Sequence, residues 1–153
     1  MFRPWFLLLG ALALGAPAAR AESYVAVIDG SQAVPPNNSD CVGHGTFELS
    51  ADEVHLAYNI HFDPWVDDEF ISHIHEQYAP PQTGEQILVE IAPGPDKIGV
   101  VALTAGNVAS LRSSRLFVNV HTTRYMQGEV RGWIVPTVAA KAITWGAVRS
   151  LYR

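Results

Sequence analysis

Residues 54–62 alternate without a slip. Val54, Leu56, Tyr58, Ile60 and Phe62 fall on one side, and His55, Ala57, Asn59 and His61 on the other. Side chains switch faces at every residue of a strand, so a strict period of two fits an antiparallel strand with one face buried and one face wet. A helix would scatter the same apolar residues around its circumference. The stretch therefore commits the chain to sheet packing, and it turns His55 and His61 away from the core as surface histidines.

Further stretches follow the same rule. Residues 24–28, 43–49, 70–76, 86–91, 98–103, 115–121 and 128–135 read as strands from their alternation and β-branched content. Between them lie turn-forming segments: Pro35-Pro36 with a polar cluster, Pro80-Pro81 before Gly84, and Pro93-Gly94-Pro95. Asp67, Asp68 and Glu69 make an acidic turn that lacks the spaced ligands and the glycine of an EF-hand, so it reads as solvated. Thr104 can cap a short helix over 105–111, and residues 122–127 join the last two strands as a long hairpin loop. Eight short strands and one short helix predict an all-β fold, an antiparallel β-sandwich or Greek-key barrel, closed by Pro136.

The two ends differ from this middle. Arg3, the apolar run 6–14 and Ala19-Arg20-Ala21 have the layout of a secretory signal peptide, too short to span a membrane. Residues 1–21 are expected to be removed, with no cysteine after the cut to take a lipid, giving a periplasmic or secreted domain over 22–136. Without Arg3 and Arg20, eight basic residues face fifteen acidic ones, a formal charge of −7. That excludes nucleic acid, whose binding rests on Lys and Arg against phosphate. In the tail, 137–153, Val138, Ala142, Trp145, Val148 and Tyr152 recur at helical spacing beside Lys141, Arg149 and Arg153. This predicts a basic amphipathic helix that packs on its own domain or frays as a chain end, or else meets a membrane surface or partner. Cys41 is the single cysteine, so no internal disulfide can form. It reads as a buried thiol, an intermolecular disulfide partner or a soft metal ligand.

The chemistry-bearing residues are histidines. On a strand, His73 and His75 point to the same side about 6.6 Å apart along the chain. His121 ends the strand Phe117-Val118-Asn119-Val120-His121 and can meet them. Three neutral imidazoles suit copper or zinc, copper binding more tightly at a given nitrogen site, with a fourth position left for water, substrate, Cys41 or His44. His44 is the preferred fourth candidate because Gly43 and Gly45 flank it. Metal-bound histidines need their second nitrogen hydrogen-bonded, and Glu76, Glu129 and Asn119 are the candidates to do so. The alternative is structural: His73, His75 and His121 would hydrogen-bond a loop backbone, holding the Pro35-Pro36 segment, while Arg131 and Glu129 form a cross-strand network. Hydrolysis finds no support, since there is no Gly-x-Ser-x-Gly elbow, no His-Glu-x-x-His helix and no phosphate loop. Ser72 and His73, as strand neighbours, point opposite ways and cannot act as nucleophile and base.

Six pieces, in order, carry a family resemblance: Gly30-Ser31-Gln32-Ala33-Val34-Pro35-Pro36, Gly45-Thr46-Phe47-Glu48-Leu49, Ser72-His73-Ile74-His75, Leu103-Thr104-Ala105, Phe117-Val118-Asn119-Val120-His121-Thr122 and Gly128-Glu129-Val130-Arg131-Gly132. Together they resemble the CHRD domain, the repeat of chordin that also occurs in exported bacterial proteins. The resemblance implies an immunoglobulin-like sandwich, secreted or periplasmic, and brings no assigned activity with it. The chain departs from the family after His-x-His, where Glu76-Gln77-Tyr78 stand instead of Gly and a small residue. More locally, His73, His75 and His121 are similar in kind and order to the copper ligands of Cu/Zn superoxide dismutase. That protein's zinc loop and disulfide have no counterpart here, so the likeness implies a three-histidine copper site and no dismutase activity.

Two functions follow as expectations. One is a binding or structural module without catalysis, whose loop residues Trp65, Tyr78 and Tyr125 contact a protein or polymer. The other is a copper-binding protein, with zinc the lesser candidate.

Overall fold

A computed structural model describes residues 21–66, 68–80 and 82–137; most of the expected signal peptide and nearly all of the tail lie outside the described residues. The strands are β1 (Glu22–Ile28), β2 (Gly43–Leu49), β3 (His55–Phe62), β4 (Glu69–Gln77), β5 (Glu85–Ile91), β6 (Asp96–Ala102), β7 (Leu116–Thr122), β8 (Val130–Trp133) and β9 (Val135–Pro136), with one helix, α1 (Ala105–Arg112). They form two antiparallel sheets, one ordered β6-β3-β2-β1-β9 and the other β5-β4-β7-β8. The fold is the expected β-sandwich, and β6 returns to pair with β3 after the β4–β5 hairpin in the opposite sheet, a connection of the Greek-key kind.

The core lies between the sheets and is built from alternate residues. Tyr24, Ala26 and Ile28 of β1, Phe47 and Leu49 of β2, and Leu56, Ile60 and Phe62 of β3 face Ile74, Val118, Val120 and Val130 of the other sheet. His55 and His61 face outward as the alternation of β3 requires, and His61 Nδ1 lies 2.6 Å from Asp96. Thr104 caps α1 as expected, its hydroxyl accepting from Asn107 N at 3.2 Å. Cys41 is buried in the core, and burial pushes its thiol up to about 12. That fits the packed thiol of the three readings.

Two features differ from expectation. The last strand splits at Ile134: β8 pairs with β7, while β9 crosses to the other sheet and pairs with β1. Pro136 fits there because β9 is an edge strand. The acidic turn is also not wholly solvated. Glu69 and Lys97 form a buried ion pair at 2.8 Å, their side chains 1% and 0% exposed. Gly94 N and the Ser72 hydroxyl also donate to Glu69, and Lys97 lies over the rings of Trp65 and Phe62. Lys97 escapes a pattern reading because it occupies an inward position opposite Ile60 on β6, where an apolar residue is the rule.

Candidate metal centre

The site lies on the outer face of the four-stranded sheet, away from the sandwich core. In β4, Ser72 and Ile74 face inward, so His73 and His75 face outward; in β7, Val118 and Val120 face inward, so Phe117, Asn119 and His121 face outward. The β4–β7 register sets His73 beside Asn119, His75 beside Phe117 and Ile71 beside His121. His121 is thus diagonal to His73, a relationship within reach of ring side chains. The ring centroids of His73 lie 5.1 Å from those of His75 and 5.0 Å from those of His121. One nitrogen from each ring falls within 4.8 Å of the others. Among the described residues, this is the one grouping of three potential metal ligands.

Although they sit on an outer face, His73 and His75 are only 8% and 6% exposed. Phe117 is stacked on His75 at 5.0 Å with 2° between the planes, and Trp133 meets Phe117 edge-on. The Arg131 guanidinium covers Phe117 at 3.5 Å and Trp133 at 4.7 Å. Phe70 borders His121 at 6.1 Å. Burial, helped by the neighbouring His121, holds His73 below the usual histidine range, with Glu90 opposing. Burial, then His73, His121 and Arg131, brings His75 down to about 4. Both rings are therefore neutral near pH 7, the state in which imidazole offers a lone pair to a metal.

Hydrogen bonding separates the three. His121 Nδ1 donates to Met126 O at 2.9 Å, so in the neutral ring Nε2 is the nitrogen that can accept or ligate. The Asn119 amide is 3.4 Å from that Nε2 and 3.3 Å from Gln127 O. By contrast, His73 Nδ1 and both ring nitrogens of His75 are buried with no hydrogen-bond partner, as is Asn119 Oδ1. Buried polar atoms are rarely left in this condition. Gly128 closes the turn above Asn119 at φ +123°, and a β-carbon there would come within 2.2 Å of the Asn119 side chain.

The other residues singled out from the sequence fall in different places. His44 does not join the group: it is exposed on the outer face of β2, opposite His61, in the other sheet. The glycines beside it serve the core instead, where Gly43 meets Phe62 and Gly45 meets Phe47. Cys41 is likewise in the core and not among the histidines. Glu76, on the opposite face of β4 from His75, accepts from Ser110, from Asn107 at 2.7 Å and from Gln86 at 2.9 Å. Glu129 accepts from Ser39 at 2.5 Å and Thr122 at 2.7 Å. With Asn37, which donates to Glu129 O at 2.8 Å, it ties down the segment after Pro36. The histidines have no part in that. Arg131 stacks on aromatic rings instead of pairing with Glu129.

The carboxylate that does approach the site is Glu85, at 3.5 Å from His75 Nδ1 and 4.0 Å from Arg131. That is too long for a hydrogen bond as it stands, yet it is where a carboxylate orients a metal-bound imidazole. A register shift in the β4–β5 pairing between Ile74 and His75 brings it there, and such a shift leaves no mark in the sequence. Phe117 was legible, since it shares the 117, 119, 121 alternation with His121. Trp65 and Tyr125 line one open cleft of about 660 Å³ with Asn37, Asn38 and Arg124, whereas Tyr78 lines another.

No described helix is long and apolar enough to cross a membrane. The comparison with curated proteins gives no match, and neither does that with solved structures. The family model for the CHRD domain matches residues 24–134, from within β1 to the sheet crossing at Ile134, leaving out only β9 and the first two residues of β1. With most of its length matched and its strands in two packed antiparallel sheets, this chain belongs to the CHRD domain family.

Proposed function

We propose that this CHRD domain is an exported, non-catalytic module that binds a single transition-metal ion, copper in preference to zinc, through His73, His75 and His121. The observation that carries this reading is the set of buried ring nitrogens without partners in a group whose donor atoms lie within 4.8 Å. The structural alternative read from the sequence has the three rings hydrogen-bonding a loop backbone, and only His121 makes such a bond. A metal at about 2.0–2.1 Å from three nitrogens draws the group inward and takes one nitrogen of each ring. Copper is preferred because nitrogen sites follow the general order in which Cu exceeds Zn. The export signal read over 1–21 supports an extracytoplasmic setting.

The test is direct. Purified protein is dialysed against copper or zinc, freed of excess ion and assayed for bound metal beside His73→Ala. Near-stoichiometric copper in the wild type and its loss in the variant are expected; wild-type protein with no metal above background ends the reading. A second reading, contact with a polymer or protein, is favoured by the shared cleft of Trp65 and Tyr125. Trp65→Ala with Tyr125→Ala would abolish such binding and leave the metal content unchanged.

A further inference from the structure

We propose that Met126 supplies a fourth, thioether ligand to the three-histidine centre and makes it selective for cuprous copper. This rests on the reading that the histidines hold a metal. Three imidazoles leave a coordination position open. The chain has two methionines, and Met1 opens the stretch read as a signal peptide, so Met126 is the one thioether among the described residues.

Its backbone is fixed at the site. Met126 O accepts from His121 Nδ1 at 2.9 Å, and the turn is pinned by Tyr125 N on the Thr122 hydroxyl at 3.1 Å and Gly128 N on Tyr125 O at 3.0 Å. The side chain itself is 72% exposed, so the fold anchors the residue without using its apolar surface. Methionine is unbranched, and rotation about its first two side-chain bonds sweeps the sulfur through several ångströms from a fixed backbone. The arm is rooted at the Nδ1 edge of His121, across the ring from Nε2, and meets an ion held there by folding its exposed side chain over the Cε1 edge of that ring.

The donor set then decides the metal. Thioether sulfur is soft and selects cuprous copper, whereas zinc gains little from it. Three neutral imidazoles and a neutral thioether also add no negative charge, and a singly charged ion costs much less to bury than a doubly charged one. The rival fourth donor is Asn119 Oδ1, buried and without a partner. A carboxamide oxygen is hard and would favour the divalent ions. Glu85 approaches His75 through Nδ1 and suits an orienting role.

The experiment compares wild type with Met126→Leu, a swap that conserves volume. Cuprous copper is contested with bathocuproine disulfonate under anaerobic, reducing conditions, and zinc with a chromogenic chelator. Cuprous affinity should fall at least ~10-fold, the scale that loss of a supporting partner already costs a metal site, while zinc affinity stays within about twofold. The ¹³C-methyl signal of Met126 should shift on adding cuprous copper to the wild type and stay in place in His73→Ala. If wild type takes up copper while Met126→Leu competes equally and the methyl signal does not move, the thioether ligand is wrong and the histidine site survives. If wild type binds no metal at all, both fall together.

Discussion

The Phe117 ring lies flat against the His75 imidazole, 5.0 Å between centroids and 2° between planes. This contact joins fold to site. Phe117 comes from β7 and His75 from β4, paired in register, so the ladder that builds the sheet also dries the imidazole. Desolvation keeps His75 neutral and holds its lone pair ready.

Stability should fall with acid through His75. In the unfolded chain the ring takes up a proton near pH 6.5, whereas the folded ring resists until about 4. Its contribution is complete above the first value and is lost as pH drops towards the second, on the order of 3 kcal/mol across that window. His73, shifted the same way, adds to the slope. Urea unfolding of metal-free protein at pH 7 and pH 4.5 should show wild type losing more stability than His75→Gln. Equal losses would show that burial does not govern this ring.

Arg131→Lys should cost stability despite keeping the charge. The planar guanidinium stacks at 3.5 Å on Phe117 and 4.7 Å on Trp133, and an ammonium cannot reproduce that contact. A loss of about 1–2 kcal/mol is expected from desolvated cation–π contacts and packing. An unchanged urea midpoint would mean that the stack contributes nothing.

Lys97→Met should be among the most damaging single changes, because it strands the Glu69 carboxylate in the core. Removing one partner of a buried pair costs about 3–5 kcal/mol. Adding Glu69→Gln removes the stranded charge and still leaves an acceptor for Gly94 N, so the double variant should regain much of the loss. Thermal melts of the three proteins decide it: a double variant as unstable as Lys97→Met alone contradicts the pairing.

Gly132→Ala should disturb the junction of the two sheets. A β-carbon on Gly132 would lie 2.3 Å from Val27 O and 2.7 Å from the Ile28 side chain, where Asp29 and Arg131 exchange backbone hydrogen bonds at 3.0 and 3.1 Å. A rigid backbone atom cannot yield as a side chain can, so a cost of roughly 1–3 kcal/mol is expected. Hydrogen exchange at the Asp29 and Arg131 amides should speed up before that of β3; unchanged exchange would place the strain elsewhere.

The sheet pattern was readable where burial is one-sided. The alternation of 54–62 predicted the faces of β3, with Leu56, Ile60 and Phe62 inward and His55 and His61 outward, although Val54 proved exposed and lies before the strand. The His-x-His spacing likewise put His73 and His75 on one face, and the end of β7 brought His121 to them. What stayed hidden depends on contacts between distant segments. His44 looked accessible between glycines, but its strand joined the other sheet. Glu76 and Glu129 were near the histidines in sequence or across strands and turned to other partners. Glu85 reached His75 through a register shift. Lys97 broke the inward pattern because Glu69, far along the chain, compensates its charge.

The crossing at Ile134 sets the last strand directly beside the first, with Thr137 N donating to Ser23 O at 2.9 Å. Entry and exit of the sandwich therefore share one border. A unit wired in this way can be spliced between other segments, or strung in series, without prying its layers apart.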